Sequence, residues 1–138
     1  MKKLISITLI FFLSYYAIAQ PAVKWTVNGT FAKMQLTNDG GCIGFSATEN
    51  LSPSDTTMKI SAVGVVQWTQ NFISTAIIQT TDGGYIASVN APNALSSLTG
   101  YQGGNDAWIV KINAAGSIVW QFNTGGNGDD QMVDLKLN

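Results

Sequence analysis

The sequence predicts an all-β fold in which a unit of four short antiparallel strands occurs twice. The first observation is a repeated spacing: fourteen residues separate Trp25 from Asp39, and fourteen separate Trp68 from Asp82, each Asp being followed by two glycines. The two copies lie 43 residues apart. Self-similarity at a period of roughly 20–50 residues is typical of repeat proteins.

A second pair of matching segments supports the repeat. Residues 58–64 (MKISAVG) precede Trp68, and residues 110–116 (VKINAAG) precede Trp120. These two copies lie 52 residues apart along the chain. The longer distance indicates an insertion of about nine residues around 91–104. No segment beyond residue 19 shows helical spacing of apolar residues, which leaves strands as the predicted structure.

Strands are predicted where short runs of residues with high β-propensity are separated by turn residues. Asp-Gly-Gly marks a hairpin turn, because glycine adopts the positive φ of tight turns at low cost. The predicted strands of the first unit are 30–37, 42–47, 57–61 and 65–72, and those of the second are 74–80, 85–89, 107–112 and 117–122.

Units of this length and strand number, with Trp near the end of the last strand, match the blade of a β-propeller. We therefore expect a β-propeller-like fold, with a β-solenoid or a plain sandwich as alternatives. Blade 1 is expected at about 30–72, blade 2 at about 73–122, and the start of blade 3 at about 131–138.

The N-terminus has the form of a cleaved signal peptide. Two lysines precede an apolar stretch at 4–18, and Ala17-Ile-Ala19 has the small-x-small form of a cleavage site. A membrane anchor is the alternative, but a span needs about 20 apolar residues. We expect residues 1–19 to be removed, no membrane span afterwards, and a secreted or cell-surface domain at 20–138.

Incomplete units are predicted at both ends of this domain. The segment at Trp25 resembles a fourth strand without its first three, and residues 132–138 resemble the strand before another Asp-Gly-Gly. We therefore expect a fragment of a longer repeat array, or a truncated reading frame. Open sheet edges pair readily with other chains, so self-association and marginal stability are expected.

Four motifs occur in a fixed order: 79–86 (QTTDGGYI), 105–113 (NDAWIVKIN), 116–121 (GSIVWQ) and 125–130 (GGNGDD). On these motifs the chain resembles, over 22–138, the tandem propeller-like repeats of large secreted bacterial proteins, many of which end in a type IX secretion sorting domain. The first unit departs from the pattern, with Cys42 in place of the aromatic residue. The resemblance implies a secreted or surface scaffold without assigned catalytic residues.

Composition excludes several classes of function. The chain has no His and no Arg, and beyond the signal peptide five lysines stand against eight acidic residues, a net charge of −3. Without a basic patch, nucleic acid is a poor partner. Ser-His-Asp and Cys-His catalytic sites need a histidine, which the chain lacks. A single cysteine cannot form an internal disulfide, so Cys42 is interpreted as a core residue.

One short segment resembles a metal-binding site. Residues 125–133 fit one unit of a calcium-binding nonapeptide, with Asp129 and Asp130 as the ligands. Calcium needs six to eight oxygen ligands, which a single unit cannot supply. The alternative is that both residues form turns and carry solvated charge. No other cofactor is expected.

The tryptophans and the repeated aspartates are the remaining candidates. Trp25, Trp68 and Trp120 share one repeat position, which favours packing between blades over sugar binding. Trp108 lies beside the Asn- and Gly-rich insertion and is the binding candidate. An Asp before Gly-Gly is the ordinary residue of a hairpin turn. No catalytic residue is therefore assigned, since such aspartates recur once per unit.

These patterns lead to one functional hypothesis and one alternative. The hypothesis is a non-enzymatic, secreted or cell-surface repeat scaffold for interaction with, or adhesion to, a protein or glycan. The alternative is a fragment of a propeller enzyme, quinoprotein-like or glycan-processing, since one fold hosts many functions.

Overall fold

The computed structural model describes residues 31, 33–45, 56–91, 95–132 and 134–136. Within these residues the chain forms eight strands and no helix. The strands are β1 (Lys33–Leu36), β2 (Cys42–Phe45), β3 (Thr57–Ile60), β4 (Val66–Gln70), β5 (Ser74–Gln79), β6 (Tyr85–Ala91), β7 (Asp106–Ile112) and β8 (Ile118–Asn123). The predicted signal peptide and Trp25 lie outside the described residues.

The strands form two four-stranded sheets, in the order β1-β2-β3-β4 (the first sheet) and β5-β6-β7-β8 (the second sheet). Every strand pairs antiparallel with its neighbour in sequence. The predicted all-β fold with two four-stranded antiparallel units is therefore confirmed. The boundaries also agree closely, because glycine turns and β-branched residues delimit the strands.

The four tight hairpins share one turn geometry. In each, a glycine N–H donates to the carbonyl three residues earlier: Gly40 to Thr37, Gly64 to Ser61, Gly83 to Thr80 and Gly116 to Asn113. The φ angles of these glycines lie between 78° and 89°. This is a three-residue hairpin loop with its last residue in the left-handed region, where an L side chain is strained.

The hydrophobic core lies between the two sheets. The second sheet supplies most of it, and Ile43 on β2 and Phe72 after β4 complete it from the first unit. The remaining buried members are Ile77, Tyr85, Ala87, Val89, Ala91, Leu98, Trp108, Val110 and Ile112. The sheets therefore pack face to face, and each repeat unit buries apolar surface that it could not bury alone.

Trp68 on β4 joins the sheets at their outer strands. Its indole N–H donates to the carbonyl of Ala114 at 3.1 Å, and its ring meets that of Tyr85 edge-on with centroids 5.5 Å apart. The ring also covers Gly116, where a Cβ would collide with it. The packing role predicted for this tryptophan position is confirmed at Trp68.

The last described residues lie alongside the second sheet without joining it. The carbonyl of Met132 accepts hydrogen bonds from Thr75 Oγ1 and Asn90 Nδ2, each at 3.0 Å. Residues 131, 132 and 134–136 form no strand. The start of a third blade at 131–138 stays a prediction.

Candidate functional site

The aspartates of the two Asp-Gly-Gly turns are structural. Asp39 forms an ion pair with Lys59 at 2.8 Å, and Asp82 forms one with Lys111 at 2.9 Å. Both carboxylates also accept the N–H of the second glycine and the hydroxyl of the threonine two residues earlier. Each unit thus uses the same Asp and Lys to attach its β-hairpin turn to its third strand.

These contacts lower the pKa values of both carboxyls. Hydrogen bonds from Lys59, then Thr37 and Gly41, hold the pKa of Asp39 well below its usual range. At Asp82 the order is Thr80, then Lys111 and Gly84, with the same direction. Hydrogen bonds to the ionised form favour it, so both carboxyls are ionised at neutral pH. A group fixed in this state is suited to holding a turn, not to transferring protons.

Cys42 and Tyr85 occupy the same repeat position, and both are buried. Burial raises the pKa of the Cys42 thiol. Burial, with a smaller effect from Asp39, raises the pKa of Tyr85 to about 12. A buried thiol with a raised pKa is a poor nucleophile, which agrees with the interpretation of Cys42 as a core residue.

Trp108, the candidate for binding, is 0% exposed. Its indole N–H donates to the carbonyl of Thr99 at 2.9 Å. The insertion at 95–105 therefore folds back over the ring. With no exposed surface, Trp108 cannot stack on a ligand in this structure, and it supports the loop above it instead.

Two loops meet above Trp108: the insertion at 95–105 and the segment at 124–130 that follows β8. We call them the loop pair. Asn105 joins them twice, donating its N–H to Asp129 Oδ1 at 2.8 Å and accepting the N–H of Asp130. Gln102 adds a third link from its side chain to the carbonyl of Gly125 at 2.8 Å. The loop pair is thus held together by its own hydrogen bonds.

Close packing of glycines allows the two loops to approach. A Cβ on Gly104 would collide with the carbonyl of Gly128, and a Cβ on Gly125 would collide with the carboxylate of Asp106. Gly104 also has a φ of 68°, in the left-handed region. Gly104 and Gly125 are therefore needed for contact between the two loops, a requirement that the sequence alone does not indicate.

Asp129 and Asp130, the predicted calcium ligands, are engaged with backbone N–H groups. Asp129 Oδ1 accepts from Asn105, and Asp130 Oδ2 accepts from Gly126 at 2.8 Å. In the described part of the chain no three acidic, histidine or cysteine side chains are grouped to hold a metal ion. The contacts are those of the turn-forming alternative, and calcium binding stays a prediction.

Asp106 differs from the aspartates of the two Asp-Gly-Gly turns. It begins β7 and is 0% exposed. Its Oδ2 accepts from the N–H of Gln102 at 2.7 Å and from Asn123 Nδ2 at 3.1 Å, while Oδ1 has no hydrogen-bond partner among the described residues. Asp106 therefore anchors the base of the loop pair.

The exposed surface of the loop pair carries one aromatic side chain among amides and hydroxyls. Tyr101 is 36% exposed, and its hydroxyl donates to the carbonyl of Gly104 at 3.1 Å. Gln102 is exposed beside it, and Asn127 and Asp129 are exposed on the second loop. Sequence reasoning missed Tyr101, although an aromatic residue inside a Gly- and Asn-rich insertion is a recognisable signal.

A small cavity lies between β1 and the second sheet. Its volume is about 160 Å³, and it is lined by Lys33, Met34, Gln35, Ile43, Phe45 and Ile77. Ligand pockets usually measure about 300–1,000 Å³. The loop pair is therefore the better candidate for a binding surface.

No protein-family model, curated protein or solved structure matches this chain. Within the residues that the structure describes, no helix has the length and apolar character needed to cross a membrane.

Proposed function

We propose that this chain is a non-enzymatic, secreted or cell-surface repeat scaffold whose loop pair binds neutral glycans. The observation that carries the proposal is the loop pair itself: a Gly- and amide-rich surface, fixed by hydrogen bonds, that presents Tyr101 to solvent. An aromatic ring with a fixed orientation can stack on a sugar ring, and neighbouring amides can bond its hydroxyls.

Charge supports a neutral ligand. The loop pair contains two acidic side chains, Asp129 and Asp130, and no lysine. An anionic ligand would meet repulsion there without a compensating cation. The turn aspartates are already engaged by lysines, and among the described residues no observation favours the enzymatic alternative.

The test is binding of the full chain to an array of neutral oligosaccharides, followed by calorimetric titration of the best ligand. Tyr101→Ala should weaken binding at least tenfold, because it removes the stacking surface. Val119→Gln is the matched control, since Val119 is an exposed apolar residue on β8, outside the loop pair. Absence of any glycan ligand, or equal affinity of Tyr101→Ala and the native chain, would contradict the proposal.

A further inference from the structure

The loop that follows β8 has an Asn-Gly dipeptide at its tip. Asn127 and Gly128 form a bend and are both exposed. Asp130 Oδ2 accepts the N–H of Gly126 at 2.8 Å, which closes the loop around them. Within the described part of the chain, neither the side-chain amide of Asn127 nor the N–H of Gly128 has a hydrogen-bond partner. Both groups are therefore available for reaction with each other.

The other asparagines of the described residues lack this combination. Among them, no asparagine except Asn127 precedes a glycine. The side chains of Asn90, Asn113 and Asn123 each form a hydrogen bond elsewhere in the chain. Each of these three residues precedes an alanine or a threonine. They therefore serve as internal references for the reactivity of Asn127.

The fold does not require a glycine at position 128. Gly104, by contrast, has a left-handed φ of 68°, and its added Cβ would collide with the carbonyl of Gly128. Gly128 lacks a positive φ, and a Cβ added to it would have no atom within 4 Å. What the glycine provides here is an unobstructed main-chain nitrogen next to Asn127.

We propose that Asn127 is a site of spontaneous deamidation to isoaspartate and aspartate, since asparagine is among the labile residues of proteins. The N–H of Gly128 gives its proton to hydroxide, and the nitrogen forms a bond to Cγ of Asn127. The Cγ–Nδ2 bond breaks, and Nδ2 takes a proton from water and leaves as ammonia. Water then opens the resulting succinimide: cleavage at Cγ gives aspartate, and cleavage at the main-chain carbonyl gives isoaspartate. The inference is independent of glycan binding.

Isoaspartate at this position disrupts the loop pair. It lengthens the main chain by a methylene group just before Gly128, whose carbonyl packs against Gly104. The next two residues, Asp129 and Asp130, make the hydrogen bonds to Asn105 that join the loops. Aspartate adds the same negative charge without lengthening the main chain. Formation of isoaspartate therefore releases the insertion at 95–105, whereas formation of aspartate leaves it in place.

The test is incubation of the folded full chain at neutral and at mildly alkaline pH, followed by digestion after lysine and mass spectrometry. The peptide 112–136 contains Asn113, Asn123 and Asn127, so the three sites are compared in one molecule. Conversion of amide to acid should accumulate at Asn127, faster at the higher pH, while the other two stay intact. A sample digested before incubation corrects for deamidation during digestion. Conversion at Asn127 no faster than at Asn113 and Asn123 would overturn the proposal.

Two alanine variants test the role of the glycine. Gly128→Ala is compatible with the fold and should slow conversion at least tenfold, a rise of about 1.4 kcal/mol in the barrier. Gly126→Ala is the matched control: its added Cβ would have its nearest neighbour at 3.9 Å, and it precedes Asn127, so the rate should not change. Equal rates for the two variants would contradict attack by the Gly128 nitrogen.

Chymotrypsin tests the effect on the loop pair, because Tyr101 lies in the insertion and is partly exposed. The isoaspartate form, separated by ion exchange, should be cleaved after Tyr101 faster than the native chain. Asn127→Asp carries the added charge without the longer main chain and should be cleaved at the native rate. Equal cleavage of the isoaspartate form and Asn127→Asp would overturn the proposed release of the insertion.

Discussion

Substitution of Gly116 by alanine tests the packing between the two sheets. Gly116 has a φ of 89°, and an added Cβ would collide with the indole of Trp68. The backbone conformation alone costs an L residue about 1–2 kcal/mol. Overpacking of a well-filled contact costs about 1–3 kcal/mol more. We expect Gly116→Ala to lower the free energy of unfolding by about 2–5 kcal/mol.

Gly83→Ala is the matched control. Gly83 ends the same type of turn with a φ of 80°, but its added Cβ would have its nearest neighbour at 3.9 Å, the Cβ of Ala114. This variant should therefore lose only the conformational contribution, about 1–2 kcal/mol. The difference between the two variants isolates the contact with Trp68.

Urea unfolding followed by circular dichroism measures both losses by linear extrapolation. In a Trp68→Ala background the collision is absent, so Gly116→Ala and Gly83→Ala should then cost the same, a coupling that a double-mutant cycle detects. Equal losses for the two alanine variants in the native background would refute the proposed sheet packing.

Three further outcomes are expected. The lowered pKa values of Asp39 and Asp82 contribute stability that is present above their unfolded pKa and is lost as pH falls. The urea concentration at the unfolding midpoint should therefore decrease as the pH is lowered below about 4, and it should decrease less in an Asp39→Asn, Asp82→Asn double variant. The pKa of Tyr85, raised to about 12, favours the neutral phenol in the folded state. The stability should therefore fall as the pH rises from about 10 to 12, and Tyr85→Phe should remove the part of this loss of stability that Tyr85 causes. Trp108→Phe removes the hydrogen bond to Thr99 and should cost about 1 kcal/mol and accelerate proteolysis within residues 95–105, measured against the native chain.

The strands and turns were predictable because their signals are local. Positive-φ glycines after Asp39 and Asp82, and β-branched residues around them, depend on neighbours along the chain. The ion pairs of these aspartates with Lys59 and Lys111 were not predicted, since they require the register between hairpin and third strand. The recurrence of the same Asp and Lys residues in both units is nevertheless visible in the sequence.

The candidate site was predicted less well. The position of Trp108 beside the insertion predicts a binding residue, but the direction in which a long loop folds is not encoded by residue spacing. The loop covers the ring, and Tyr101 becomes the exposed aromatic residue. Trp120 shows the converse: its repeat position favours packing, yet its exposure depends on a neighbouring sheet that the described residues do not provide.

The order of strand pairing also determines how the chain folds. Because each strand pairs with the next in sequence, all main-chain contacts of the first sheet can form before β5 exists. Such short-range pairing favours rapid folding. Ile43 and Trp68, however, gain their cover only when the second sheet is complete. During synthesis the first sheet therefore passes through a stage with its apolar face open, and the speed of the second sheet's folding limits how long that stage lasts.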